Sequence, residues 1–397
     1  MRAKAILVCT FLLISAIGVG AATYKTLLSF DGFDYGQNPY AGLVMDQAGN
    51  LYGAAAYGEV MDGTIFQLKR TGNGWQPTVL YEFDPYEYQG VEPIGGLVMD
   101  GTGNLYGTTS YFHGAEYCAS VFKLSPSGAH WTFSYIYYFD WTGSEGCDPE
   151  ASLNYFDGRL WGTTRQGGAK GQGTVFSMDT SGGSFHFDSF TGKKGSQPLS
   201  AVSLWGYGTT YSGGGKGQGD IYRLDPGKGL IRERSFKVDG NPGYAPMGDL
   251  LTLYVGGART IYGTTSAGGV GGGGTVYRLT EIQPNSDRWR MHVLHSFTSG
   301  SGEGWAPMAG LTADSAGNLY GTTNRGGEGG WDCGTVFKLS PGKMNKWTHT
   351  VLYSFDADQS EGCQPTSGVV LDGAGNLYGT TLYGGDYNRG AVYEIVP

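Results

Sequence analysis

The chain is 397 residues long and 72 of them are glycine, about 18% against a usual share of roughly 7%. Aromatic residues at 14%, frequent Val, Leu and Ile, and no Gly-X-Y period exclude collagen and argue against a disordered chain. A net charge of −9 disfavours nucleic acid and anionic membrane surfaces as main partners, because both need a basic footprint.

The N-terminus reads as a signal peptide over residues 1–22. Arg2 and Lys4 form the positive region, Ala5 to Val19 the apolar one, and Gly20-Ala21-Ala22 the small residues before a cut at Thr23. The apolar stretch is short for a membrane span. Cys9 lies inside it, after Val8, so a lipoprotein signal does not fit. Nothing later is apolar enough to span a bilayer. The expected mature protein is secreted or periplasmic, soluble and without an anchor.

From residue 36 onward one sentence recurs seven times. A Gly-x-x-Pro element opens each unit, at Gly36, Gly90, Gly146, Gly195, Gly243, Gly304 and Gly362. A Tyr/Trp-Gly pair follows in each, at Tyr52, Tyr106, Trp161, Tyr207, Tyr262, Tyr320 and Tyr378. The units are 36–89, 90–145, 146–194, 195–242, 243–303, 304–361, and 362–397 completed by 23–35. Each holds four candidate strands rich in Val, Thr, Tyr and Phe, and no segment carries a helical apolar stripe. Four short antiparallel strands at this period predict an all-β, seven-bladed β-propeller, one domain over 23–397.

The turns agree. Asp-x-x-Gly-Asn joins the first two strands at Asp46, Asp100, Asp314 and Asp372, as a type I turn with a left-handed glycine after it. The chain opens on an outermost-strand sequence, Tyr24 to Phe30, and ends on a third-strand sequence, Gly390 to Ile395. The last blade is therefore expected to combine three C-terminal strands with one N-terminal strand, which closes the ring and hides its edges. The fourth unit lacks the Asp turn and is shortened between Pro198 and Gly208, so blade four is expected to be the least regular.

The repeat GLVMD-x-x-GNLYGTT, followed by a glycine-rich loop and GTVFKL, resembles the Gloeobacter–Verrucomicrobia (GloVer) tandem repeat of exported bacterial proteins. The resemblance implies an exported repeat protein with no settled activity. Cys118 and Cys333 precede third strands, and Cys147 and Cys363 sit in Gly-x-x-Pro loops, 29 and 30 residues on. Repeat register then pairs Cys118 with Cys147 and Cys333 with Cys363, each stapling neighbouring blades. Export favours oxidation, and no C-x-x-C spacing supports a metal.

No catalytic or metal arrangement is legible. The histidines lie mostly on outermost strands and read as edge or solvated residues. His113 alone lies in a rim loop. The Asp turns lack the alternating carboxylates of a calcium loop, and the glycine clusters lack the Gly-Lys-Ser/Thr of a phosphate loop. The Gly-x-x-Pro rim is the expected ligand mouth, since loops on a rigid scaffold are where binding residues concentrate. The residue before each proline is Asn38, Glu92, Asp148, Gln197, Ala245, Ala306 or Gln364, with carboxylates only in blades two and three. Glu150 adds another. Nearby loops bring Tyr35, Tyr86, Tyr88, Tyr111, Phe112, Trp141, Tyr244, Trp305, Trp331 and Tyr383. Arg165, Lys170, Lys193, Lys194 and Lys216 cluster by sequence as a candidate anion site. Ordinary solvated loops with packing aromatics are the plain alternative at any single position.

Three functions follow as expectations. The first is a monomeric binding module that holds an extracellular glycan or protein at the rim, through Asn38, Glu92, Asp148, Gln197, Gln364, Arg165, Tyr244 and Trp305, with no cofactor and no metal. The second is a glycoside hydrolase or polysaccharide lyase whose acid and base come from Glu92, Asp148 and Glu150. The third is a structural matrix protein.

Overall fold

The strand that follows each Asp turn explains why the repeat reads as it does. Leu51–Ala55, Leu105–Thr109, Leu319–Thr323 and Leu377–Thr381 are buried at every position. They are inner strands covered on both faces by neighbouring blades, which is why they read as continuous runs without alternation. The glycine of each Tyr-Gly pair lies directly opposite an aromatic residue of the third strand: Phe66, Phe122, Phe176, Tyr222, Tyr277, Phe337 or Tyr393. A Cβ there would collide with that ring, at 2.7 Å in the case of Gly321. Glycine is required because the ring lies across its backbone.

The computed structural model describes residues 22–397 except 60–61, 85–89, 113–116, 226, 239–240, 284–285, 287, 329, 331 and 357–360, with backbone only at 111–112. All but the last residue of the expected signal peptide, and Tyr86, Tyr88, His113 and Trp331, lie outside the described residues. Among the described residues seven antiparallel blade sheets are present, the first six running outward in sequence order, with two further two-stranded ribbons, Gly90–Val91 with Tyr111–Phe112 and Gly362–Cys363 with Tyr383–Gly384. Blade one, for example, is Val44–Met45, Leu51–Ala55, Thr64–Thr71 and Gly74–Glu82. In the seventh, Thr23–Ser29 pairs with Ala391–Val396, with Tyr24 opposite Ile395. The Thr380 hydroxyl donates to the Ala41 carbonyl at 2.9 Å, joining blade seven to blade one. Thr108, Thr163, Thr264 and Thr322 make the same bond to the next blade at 2.7–3.2 Å. The first Thr of the GTT signature is therefore an inter-blade clasp.

Blade four keeps three ladder strands, Tyr207–Thr210, Asp220–Asp225 and Gly229–Ser235. Its innermost segment runs alongside them, but side chains take over the ladder. Ser200 Oγ accepts the Thr209 N–H at 2.9 Å and Ser203 Oγ accepts the Tyr207 N–H at 3.1 Å. The only helical piece among the described residues is a 3-10 turn, Lys343–Asn345, and no helix is long and apolar enough to cross a membrane.

The core is distributed. Seven clusters of buried side chains occupy the seven junctions between adjacent blades. Innermost segments also touch: Ser152 Oγ accepts the Gly96 N–H at 3.1 Å and Asp249 Oδ1 accepts the Ala201 N–H at 2.6 Å. The Asp turns are structural. Asp46 Oδ1 accepts the Ala48 and Asn50 N–H groups, and its Oδ2 accepts the Tyr52 hydroxyl at 3.0 Å. Tyr106, Tyr320 and Tyr378 repeat that bond to their own turns. Burial pushes the Asp100 carboxyl up, but bonds from Asn104 and Thr102 outweigh it and hold the group down at about 2.

Candidate functional site

The residue before each rim proline adopts a left-handed backbone in all seven blades. φ is 55° at Asn38, 59° at Glu92, 63° at Asp148, 54° at Gln197, Ala245 and 57° at Gln364, with Ala306 at 56°. This costs a non-glycine residue on the order of 1 kcal/mol, and the hydrogen bonding explains why it persists. The N–H of Gln197, for instance, donates to Gln172 in the preceding blade at 2.9 Å, and its carbonyl accepts the Tyr211 N–H at 3.0 Å. Asn38, Glu92, Ala245, Ala306 and Gln364 make equivalent bonds on both sides. The backbone does the joining, so the side chains at these positions are free to differ between blades.

Blade three uses that freedom for a charged cluster. The Arg165 guanidinium donates to Glu150 Oε1 at 2.6 Å and lies 3.9 Å from Asp148 Oδ2. Gln166 Nε2 donates to Asp148 Oδ2 at 3.1 Å, and the Asp148 and Glu150 carboxyls are in hydrogen-bond contact. Burial, then the Glu150 charge, push Asp148 up to about 6 against the pull of Arg165. Asp148 therefore holds its proton into mildly acidic solution, as one of two close carboxyls must.

Two tyrosines that the rim residues did not single out complete this side. Tyr40 and Tyr57 meet edge to face at 6.0 Å. Burial, then the Glu92 charge, push Tyr57 up to about 12, and Glu150 adds to it. Burial, then Tyr383, Glu92 and Glu150, raise Tyr40. Side chains from blades one, two, three and seven thus lie within electrostatic reach of one another on the Gly-x-x-Pro rim. Tyr40 and Glu150 each follow a rim proline, and the signal that could have found them is that register. The same position holds Leu199, Met247 and Met308 in blades four to six, each half-buried. At this register the rim is phenolic or acidic in blades one and three and apolar in blades four to six.

Other expected rim residues are engaged elsewhere. Tyr244 and Trp305 pair through their backbones with Ala267 and Arg325, and their rings pack on the junction clusters of blades four–five and five–six. They sit at the register of Cys147 and Cys363, which form the disulfides Cys118–Cys147 and Cys333–Cys363, with Cα atoms 5.7 and 4.5 Å apart. Tyr35 packs in the junction between blades seven and one. Of the sequence-clustered cations, Arg165 serves the two carboxylates and Lys194 Nζ donates to the Leu230 carbonyl at 2.6 Å. Asn38 Nδ2 donates to Leu382 at 3.0 Å, and Gln197 Oε1 accepts the Ser212 hydroxyl at 3.2 Å.

Two histidines expected to be plain edge residues meet instead. His295 and His349 stack with ring centres 4.3 Å apart and planes 6° apart, and Glu303 lies 3.2 Å from His295 Nε2. Their donor atoms and the Glu303 carboxylate lie within 4.8 Å of one another. One ion cannot lie in both planes of face-to-face rings, so this arrangement is a packing pair rather than a formed metal centre. Burial, then His295, push His349 down to about 4.

The fold has counterparts among solved structures. A protein from Bacteroides uniformis assigned as a 6-phosphogluconolactonase shares 14% identity over 86% of this chain and 90% of its own, with a TM-score of 0.54. The extracellular domain of a protein from B. thetaiotaomicron assigned as a hybrid two-component system shares 11% identity over 93% of this chain and 39% of its own, with a TM-score of 0.54. At such identity these likenesses concern the fold alone. None of the curated proteins matches the chain. The model of the Gloeobacter/Verrucomicrobia repeat matches residues 109–257 and 206–397, more than half of the sequence, and the chain belongs to that repeat family.

Proposed function

We propose that this chain is an exported binding module that holds a glycan at the channel mouth, between the acidic side of blades one to three and the apolar side of blades four to six. The observation that carries the reading is the edge-to-face pair Tyr40–Tyr57 and the Arg165–Glu150–Asp148 cluster on the same rim, with Glu92 and Glu150 close enough to raise both tyrosines. Sugar rings suit such a mouth, since their apolar faces lie on aromatic or aliphatic side chains while hydroxyls donate to carboxylates. Glu92, Glu150 and the partly protonated Asp148 disfavour an anionic ligand. The N-terminal targeting pattern and the paired cysteines support export.

A glycan array with the full chain tests this. Tyr57→Ala, Glu92→Gln and Asp148→Asn should each weaken the best ligand by about tenfold or more. Absence of any glycan ligand, with these variants binding other partners like wild type, contradicts it.

A second reading has its own support in Asp148, which keeps its proton into mild acid as a general acid does. Glu150 lies too close to be the second carboxylate, which sugar hydrolysis needs roughly 5–9 Å away, so that role would fall to Glu92. Here Asp148 would protonate the leaving oxygen. Release of reducing sugar that disappears in Asp148→Asn supports catalysis. Binding without turnover leaves the module reading standing.

A further inference from the structure

Blade four leaves a gap. Its junction with blade three is lined by five buried side chains among the described residues, against seven to nine at the other junctions. Two sequence features cause this. The outermost strand of blade three, His186–Ser189, has four residues, where its counterparts in blades one, two and five have nine, eleven and ten. The innermost segment of blade four turns back at 203–206 without the Asp-x-x-Gly-Asn hairpin that fills this level in blades one, two, six and seven. The result is a cavity of about 580 Å3 on the face opposite the Gly-x-x-Pro mouth, within the usual range for small-molecule sites.

Its lining is aromatic with matched polar groups. Phe156 and Trp161 stack at 5.1 Å with planes 3° apart. Trp205 and Phe187 face the same space. Trp161 Nε1 is buried and has no hydrogen-bond partner. In four other blades this register holds a Tyr whose hydroxyl is received by the turn Asp. Blade three instead turns tightly on Asp157-Gly158, both at positive φ, and offers no such acceptor. An unmatched buried N–H costs on the order of 1–3 kcal/mol, so a ligand that accepts from it gains accordingly. The lining arginines are neutralised: Arg223 by Glu233 at 2.9 Å and Asp225 at 3.3 Å, and Arg259 by Glu281 at 2.6 Å.

We propose that this cavity is a second binding site, for one or two residues of an uncharged saccharide. A pyranose stacks on the indole and phenyl faces, one hydroxyl or ring oxygen accepts from Trp161 Nε1, and further hydroxyls reach the carboxylates of Asp188 and Asp225. The balanced ion pairs select against strongly charged ligands. This site is independent of the mouth.

The test is titration of the full chain with cellobiose, maltose, xylobiose and diacetylchitobiose, followed by tryptophan emission and calorimetry. Trp205→Ala removes a wall. Leu204 is 56% exposed, so Leu204→Arg fits the fold and reaches across the opening. Unchanged melting temperatures control for folding. At least one disaccharide should bind with an emission shift, weakened about tenfold in both variants and unchanged in Tyr57→Ala at the mouth. No binding up to about 10 mM overturns the proposal. So does binding by both variants equal to that of wild type, or a loss confined to Tyr57→Ala.

Discussion

The junctions between blades six and seven and between blades five and six use one frame with different chemistry. At the first, Tyr353 donates to Glu361, stacks on Tyr24 at 4.6 Å, and the disulfide Cys333–Cys363 closes alongside. At the second, His295 takes the register of Tyr353, His349 that of Tyr24, Glu303 that of Glu361, and Trp305 that of Cys363. A third junction, blades two–three, repeats the first pattern: Tyr137 donates to Glu145 at 2.6 Å and stacks on Phe185, beside Cys118–Cys147. A phenol with a covalent staple is indifferent to mild acid. An imidazole pair without one is not.

The largest effect should come from the staple. Cys333→Ser with Cys363→Ser opens a loop of 30 residues and should cost about 3–4 kcal/mol in the chain-entropy model, read by denaturant unfolding. Reduction of wild type opens Cys118–Cys147 as well and should cost more still, and an unchanged midpoint in the double variant would mean that the stack alone holds the junction.

Next comes the glycine under the ring. Gly321→Ala drives a methyl into Phe337 of blade six and should cost about 3 kcal/mol. Gly379→Ala should behave alike under Tyr393 of blade seven, because the collision does not depend on the junction. Thermal melts of the two variants check that equality.

The titratable pair gives a pH effect. His349 is lowered from its ordinary value to about 4, so the unfolded chain binds its proton first as pH falls. Stability is intact above about pH 6.5 and declines as pH drops towards 4, by on the order of 2 kcal/mol. His295→Tyr with His349→Phe copies the Tyr137–Phe185 pair and should flatten that decline. Asp148 works oppositely: raised to about 6, it favours folding below pH 3.8 and loses that contribution as pH rises through 6. Melting temperature measured from pH 7 to 4.5 separates the double variant from wild type, and parallel curves would dismiss the histidine clasp.

The smallest effect is a gain. Tyr393 carries a buried hydroxyl with no partner at the register where blade six has Phe337. Tyr393→Phe should stabilise by about 1 kcal/mol, visible as a higher melting temperature.

What the sequence disclosed is what repeats. Tyr52-Gly53 and its six counterparts, the Asp46 turns and the cysteine register are each imposed by a backbone constraint, so they survive as letters. The weakness of blade four was visible for the same reason, as a missing turn. The mouth was legible only as a rim. Glu92 and Asp148 stood out by charge, but Tyr40 and Tyr57 gained significance from burial and from neighbours in other blades, which no local pattern encodes. Tyr244 and Trp305 were ambiguous in the sequence because aromatic residues serve packing and binding equally, and the structure shows their packing on two junction clusters. The meeting of His295 and His349, 54 residues apart, depends on the register of two blades.

The convergence at the mouth is tested most directly by the titration of the Asp148 carboxyl, followed by carbon NMR of the side chain in wild type and in Glu150→Gln. A midpoint of about 6 in wild type that falls when the neighbouring charge is removed is the expected result. An ordinary value near 3.8 in both proteins would mean that these carboxyls do not share a buried site.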